Sequence, residues 1–180
     1  MDLNEREELR RILIERSIRK GEFTLASGRK SNYYINGKMT TLHSRGLYLA
    51  AKLMLDSFSG IEYGAFAGPV IGADPIIGAL LAISAERGVE KEGLLVRKEA
   101  KGHGTKKLVE GNIHNGLRVI ILEDVVTTGG SLLKAAEAVA AEGGIIAGIS
   151  VLVDREEGAA EAISAAGYEF NSIFKVCELL

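Results

Sequence analysis

The stretch Val119-Ile120-Ile121-Leu122-Glu123-Asp124-Val125-Val126-Thr127-Thr128-Gly129-Gly130-Ser131 decides how this chain is read. Four apolar residues run into two adjacent acids, a Thr-Thr-Gly-Gly-Ser turn follows, and an alanine-rich segment comes next. The unbroken apolar run predicts a strand buried on both faces, as in parallel sheets. The acids then fall at its carboxyl end, where open α/β sheets bind ligands. The turn offers small residues whose backbone N–H groups can close on a phosphate at the positive end of the next helix. Carboxylates that seek hydroxyls thus face amides that seek phosphate, an arrangement suited to a ribose 5-phosphate. The plainer alternative is a strand, a turn and a helix capped by Ser131, with the acids merely solvated.

Working outward, residues 4–19 predict an amphipathic helix with Leu9, Ile12, Leu13 and Arg16 to Ile18 setting its faces and Gly21 ending it. Residues 21–41 predict loops and short strands. Ser44 predicts the cap of a helix running to about Phe58, with Leu47, Ala50, Ala51, Met54 and Leu55 at helical spacing. Beyond it, strands are expected at 63–67, 93–97, 117–123, 145–153 and 168–176. Helices are expected between them at 73–87, with Pro75 in the first turn, and at 130–142 and 157–166. This succession predicts an α/β fold: a doubly wound, mostly parallel central sheet with helices on both faces. The whole chain, 1–180, reads as one domain in which residues 1–41 form a small cap over the site. Residues 98–116 hold four glycines and four lysines with little apolar content, which predicts a long mobile loop of functional kind.

Composition bounds the function. The chain is 47% apolar, enough for a packed core. A net charge of −2 argues against a general nucleic-acid or membrane binder. Cys177 is the only cysteine, so no intramolecular disulfide forms and a reducing compartment is expected. With no leader-like opening and no apolar run near the ~18 residues of a membrane helix, a soluble cytoplasmic protein is expected. His43 and His114 lack partners at metal-ligand spacing, and no Walker A or dinucleotide glycine motif follows a strand. The charge is uneven, however: Arg97, Lys98, Lys101, Lys106 and Lys107 stand against Glu99 alone. Lys101 and His103 lie among the hinge-forming Gly102 and Gly104. Cations on such a hinge can fold over a pyrophosphate, neutralise it as it leaves and exclude water.

The segment from Glu123 to Ser131 resembles the phosphoribosyl-pyrophosphate (PRPP) motif of type I phosphoribosyltransferases. The resemblance implies that Glu123 and Asp124 hold the ribose hydroxyls. It implies a 5-phosphate cradle along Val125, Val126, Thr127, Thr128, Gly129, Gly130 and Ser131. Arg97-Lys98-x-x-Lys101-x-His103 is similar to the catalytic loop of the orotate phosphoribosyltransferases, which narrows the family. That loop implies PRPP contacts from Arg97, Lys98, Lys101 and His103, with Lys101 and His103 nearest the leaving pyrophosphate. It also implies a homodimer whose loops serve the neighbouring subunit's site, and a Mg²⁺ cofactor held chiefly by substrate oxygens and water.

Phe23 to Ile35 resembles the same family's opening motif, so Tyr33 and Tyr34 are expected to line the base site. Arg155, closing the Val153-Asp154-Arg155 strand end, is expected to pair with the orotate carboxylate, with Thr127 as a second contact. Gly68 to Pro75 resembles the pyrophosphate-binding loop. Two departures stand out: Ala26 where some members carry lysine, with Lys30 the nearest replacement, and Ile71-Gly72 where bacterial members often carry Tyr-Lys. The alternative readings are a phosphoribosyltransferase for another nucleobase, which would not need Arg155, and a non-catalytic regulator sensing PRPP or a nucleobase.

Overall fold

Apolar runs punctuated by glycines produce the alternating strands and helices of the computed structural model, which describes residues 3–24, 30–99 and 107–180. Helix α1 (Leu3–Ser17) passes directly into β1 (Ile18–Thr24), which pairs antiparallel with β2 (Lys30–Ile35). The short helix α2 (Lys38–Thr41) and the longer α3 (Ser44–Ser57) follow. Then come β3 (Ala65–Pro69), α4 (Asp74–Glu86), β4 (Glu92–Val96), β5 (Val109–Glu110) and β6 (Arg118–Val126). Helix α5 (Gly130–Ala141), β7 (Ile145–Asp154), α6 (Ala159–Ala165), β8 (Phe170–Lys175) and a 3₁₀ turn (Val176–Glu178) complete the chain. The central sheet has the order β5-β4-β3-β6-β7-β8 and is parallel except for the edge strand β5. The expected mostly parallel sheet with helices on both faces is what forms.

Strand β6 shows why. Its side chains alternate, and both faces are apolar. Ile120 and Leu122 enter a core with Leu9 and Leu13 of α1, Leu49, Leu53 and Met54 of α3, and Ile76 and Leu80 of α4. Val119 and Ile121 enter a second core with Leu132, Ala136 and Val139 of α5 and Ile163 of α6. All four β6 residues are essentially inaccessible, and each such burial stabilises by roughly 1.5–3 kcal/mol. Helix α1 closes the first layer and is tied to the chain's end: Arg10 donates to the Glu178 carbonyl at 2.7 Å, and the Arg6 guanidinium lies 4.4 Å from the Phe174 ring centroid.

Several expectations are corrected. Helix α1 ends at Ser17, and Gly21 lies inside β1 instead of stopping a helix. Residues 38–41 form a helix that the reading of 21–41 as loops and strands did not include. Ser44 is the first helical residue of α3, and its cap is His43, whose Nδ1 accepts the Gly46 N–H at 3.3 Å. Within 98–116, residues 109–110 form β5 against β4; residues 100–106 lie outside the described residues. Strand β6 continues through both acids to Val126, because β7 pairs with it as far as Val126–Asp154.

Two glycines test this packing in opposite directions. A Cβ at Gly68 would lie 2.3 Å from the Leu122 carbonyl oxygen and 2.4 Å from the Ala73 Cβ, so the β3 and β6 backbones meet only because no side chain intervenes. Gly78, within α4, faces open space. In urea unfolding, Gly68→Ala is expected to lose about 1–3 kcal/mol from overpacking, whereas Gly78→Ala is expected to gain about 0.5–1 kcal/mol from helix propensity.

Candidate active site

The strand ladder itself opens the crevice. β3 pairs with β6 only from Ala65–Val119 to Ala67–Ile121, although β3 stays paired with β4 as far as Pro69–Val96. Past that point the chain after β3 turns into α4 while β6 runs on beside β7. The sheet order reverses direction between β3 and β6, which is the switch point where open α/β sheets bind ligands. A cavity of about 1090 Å³ lies there, and its walls include residues 34–38, 69–72, 96–98, 123–125, Thr127, Gly130, Ser131, Lys134 and Arg155. That volume is ample for a nucleotide-sized ligand.

Glu123 and Asp124, being consecutive strand residues, leave β6 on opposite faces. Glu123 turns toward α5 and accepts a 2.7 Å hydrogen bond from Ser131 Oγ. Burial pushes its carboxyl up to about 7; the Ser131 hydrogen bond opposes this, the adjacent Asp124 charge adds to it, and Lys38 and Lys98 also oppose it. Asp124 is only 5% exposed. Its Oδ1 accepts the Val125 N–H at 2.9 Å, and Lys38 Nζ stands 4.0 Å from Oδ2. Burial raises its carboxyl too, against Lys38 and the backbone N–H groups. Two glycines let the chain close around this side chain: a Cβ at Gly37 would lie 2.6 Å from Oδ2, and one at Gly72 would lie 2.6 Å from Oδ1. A side chain at position 72 would therefore have to push the Asp124 carboxylate aside.

The turn after β6 enters α5 through Gly129, in the left-handed region at φ 83°, with no side-chain cap. Ser131 is thus not the cap that the plainer alternative supposed; its hydroxyl serves Glu123 instead. The uncapped first turn of α5 borders the cavity, leaving backbone N–H groups and the positive end of the helix dipole for an anion. Thr127, Gly130, Ser131 and Val125 lie on the wall. Val126 is buried beneath it, and Thr128 and Gly129 are not among the lining residues.

Arg97 and Lys98 line the opposite side, with Arg97 Nε 2.9 Å from Glu110 Oε1. Lys101 and His103 lie outside the described residues, as does Ala26. Lys30 opens β2, exposed and away from the cavity wall. Arg155 is 7% exposed and reaches the wall from the end of β7. Its guanidinium makes two contacts with Glu157 Oε1, at 2.9 Å from Nε and 2.8 Å from Nη2, and lies 5.1 Å from the Tyr33 ring centroid. Tyr34 is on the wall, 5.7 Å from Phe23; Tyr33 is not, and instead supports Arg155. The sequence reading passed over Asn36, Lys38, Lys134 and Glu157. Only Glu157 left a usable signal, as an acid two residues after a candidate carboxylate-binding arginine.

The family model for the phosphoribosyl transferase domain matches residues 73–173. The chain is 43% identical over 175 residues to an orotate phosphoribosyltransferase of Thermosynechococcus vestitus, covering 97% of this chain and 92% of that one. It is 44% identical over 177 residues to the orotate phosphoribosyltransferase of Pyrococcus abyssi, covering 97% and 94%. Among solved structures, the orotate phosphoribosyltransferase of Mycobacterium tuberculosis in complex with PRPP superimposes with a TM-score of 0.82 at 35% identity, covering 97% of this chain and 98% of that one. Likeness of this extent over nearly the whole chain shows that it belongs to the orotate phosphoribosyltransferase family of the phosphoribosyltransferases.

Proposed function

We propose that this chain transfers the 5-phosphoribosyl group of PRPP to orotate, giving orotidine 5-monophosphate and pyrophosphate, a step of pyrimidine biosynthesis. The observation that carries the reading is one crevice walled by two adjacent carboxylates, Asp124 buried and Glu123 half-buried, with an uncapped helix start and a strand-end arginine. In the reaction the orotate ring nitrogen forms a bond to the anomeric carbon as the bond to the pyrophosphate oxygen breaks. The transition state resembles an oxocarbenium ion, so the protein needs no nucleophile and acts by positioning and charge.

Each wall has a proposed part. Glu123 and Asp124 accept the ribose hydroxyls and keep negative charge beside the electron-poor ring. The backbone of residues 127–131 and the Ser131 hydroxyl take the 5-phosphate. Arg155 receives the orotate carboxylate, with Glu157 holding the guanidinium flat and Tyr33 supporting it from one face. Tyr34 and Thr127 border the base. In this reading Arg97 and Lys98, together with Lys101 and His103, neutralise the departing pyrophosphate, and His103 would donate a hydrogen bond or a proton to it. The pair Glu123 and Asp124 supplies hard oxygen donors suited to Mg²⁺. As a hard, slowly dehydrated ion, it would rest largely on substrate oxygens and water. When bound it would neutralise pyrophosphate charge.

We further propose a homodimer in which residues 97–103 are shared between the sites of the two subunits. In this proposal residues 1–180 act as one phosphoribosyltransferase domain, with residues 1–41 as a cap beside the base. No helix among the described residues is long and apolar enough to cross a membrane, and the cytoplasm is the proposed location.

Loss of orotate absorbance in the presence of PRPP and Mg²⁺ tests the activity, with uracil, hypoxanthine and adenine as parallel bases; turnover of one of these in place of orotate contradicts the base assignment. Asp124→Asn is expected to lower kcat/KM for PRPP by about 10²–10³-fold. Arg155→Ala is expected to raise the orotate KM by about 10–100-fold while the PRPP KM stays within about twofold. Chelation of Mg²⁺ is expected to abolish turnover.

A pH effect follows from Glu123, whose ordinary value near 4.5 is raised to about 7 in the folded chain. The folded protein then binds the proton more tightly than the unfolded one. The resulting stabilisation is fully present below about pH 4.5 and is lost as pH rises through about 7. Thermal melts of the ligand-free protein are expected to fall across that window, and Glu123→Gln is expected to flatten the fall.

A further inference from the structure

On the reading of the cavity as a phosphoribosyl-donor site, we propose that Lys38 binds the pyrophosphate of the donor, supplying from the α2 side the cation that the loop around Gly72 lacks.

Asp124 lies between two backbones, with Gly72 against Oδ1 and Gly37 against Oδ2. The loop after β3 therefore reaches the acid without a side chain, and a lysine there would strike the carboxylate. Lys38, the residue after Gly37, stands on the other side of the same carboxylate. The pyrophosphate of the donor hangs from the carbon next to the one bearing the 2-hydroxyl. A cation about 4 Å from the carboxylate that takes the ribose hydroxyls is thus within a lysine side chain's sweep of the pyrophosphate oxygens.

The ammonium is held in reserve. Its 4.0 Å separation from Oδ2 is an ion pair well beyond the 2.7–2.9 Å range of a charge-assisted hydrogen bond. Its side chain is 46% exposed, and Asp124 is its one ion-pair partner among the described residues. All three N–H donors therefore remain for an anion. Other wall cations are differently placed. Arg97 is paired with Glu110 and Arg155 with Glu157. Lys134 lies in α5 one turn past Ser131, beside the proposed 5-phosphate cradle.

The backbone beneath Lys38 is fixed. Ser17 Oγ and Thr40 Oγ1 share a buried 2.7 Å hydrogen bond, the Asn36 N–H donates to the Ser17 carbonyl at 2.9 Å, and Arg16 Nε donates to the Met39 carbonyl at 3.1 Å. On the far side, a Cβ at Gly46 would lie 2.6 Å from the Thr40 carbonyl oxygen, so α3 packs directly on α2. The side chain alone moves between Asp124 and the incoming anion.

Calorimetric titration of Mg²⁺-PRPP and of ribose 5-phosphate into the wild type, Lys38→Met and Lys38→Arg separates the possibilities. The proposal expects Lys38→Met to weaken PRPP by about 10–100-fold. Ribose 5-phosphate, which has no pyrophosphate, is expected to bind Lys38→Met within about twofold of the wild type, and Lys38→Arg is expected to recover most of the PRPP affinity. In turnover the loss should fall on the PRPP KM and spare the orotate KM. Equal weakening of both sugar phosphates overturns the proposal, because Lys38 would then act only through Asp124. Unchanged PRPP affinity in Lys38→Met, with a melting temperature like the wild type's, overturns it as well. A wild type that binds no PRPP overturns the donor-site reading itself, an outcome distinct from the other two.

Discussion

Two adjacent carboxylates, Asp124 buried and Glu123 half-buried, at the point where β3 and β6 part are the constraint around which the rest of this structure is arranged. Burial raises both, so an empty crevice works against its own chemistry. The surroundings limit the cost. Ser131 donates to Glu123, Lys38 faces Asp124, and the backbones at Gly37 and Gly72 close on Asp124 with no side chain between. Two apolar cores hold β6 rigidly enough for these contacts to persist. A site kept partly dry and partly charged in this way gives hydroxyl and phosphate ligands stronger electrostatics than a water-filled cleft would.

The same economy appears at the other end of the cavity. Arg155 is almost fully buried, and a buried guanidinium without a partner would be destabilising. Glu157 supplies the partner and Tyr33 the face, which leaves the remaining donors directed by geometry rather than by solvent. The turn that makes this possible carries Glu156 at φ 57°, with its N–H donated to the buried Asp154 at 2.8 Å. The positions of the base-side and sugar-side charges are thus both set by residues that follow a strand end directly.

What could be read from the sequence was whatever repeats or clusters locally. The apolar run before Glu123 marked β6, the small residues of 127–131 marked the turn, and apolar spacing marked α3, α4 and α5. Strand and helix ends were less legible, because partners set them: β6 outlasts its apolar run since β7 pairs with it to Asp154. Helix α2 has four residues, too few for a period to show, and is made by Ser17 and Thr40 meeting across the fold. Lys38 looked like any surface lysine, and only the approach of Gly37 to Asp124 brings it to the cavity. Tyr33 and Tyr34 read as an equivalent aromatic pair, yet strand alternation sends one to the wall and the other beneath Arg155. The absence of a side chain at Gly72 read as a lost contact, whereas in the fold it is the space that Asp124 occupies.

The most direct test is a crystal structure of this protein with PRPP and Mg²⁺. The account predicts the ribose hydroxyls on Glu123 and Asp124, the 5-phosphate on the backbone N–H groups opening α5, and the pyrophosphate on the side of Lys38. A donor bound with its ribose away from the two carboxylates, or outside the crevice between β3 and β6, would contradict it.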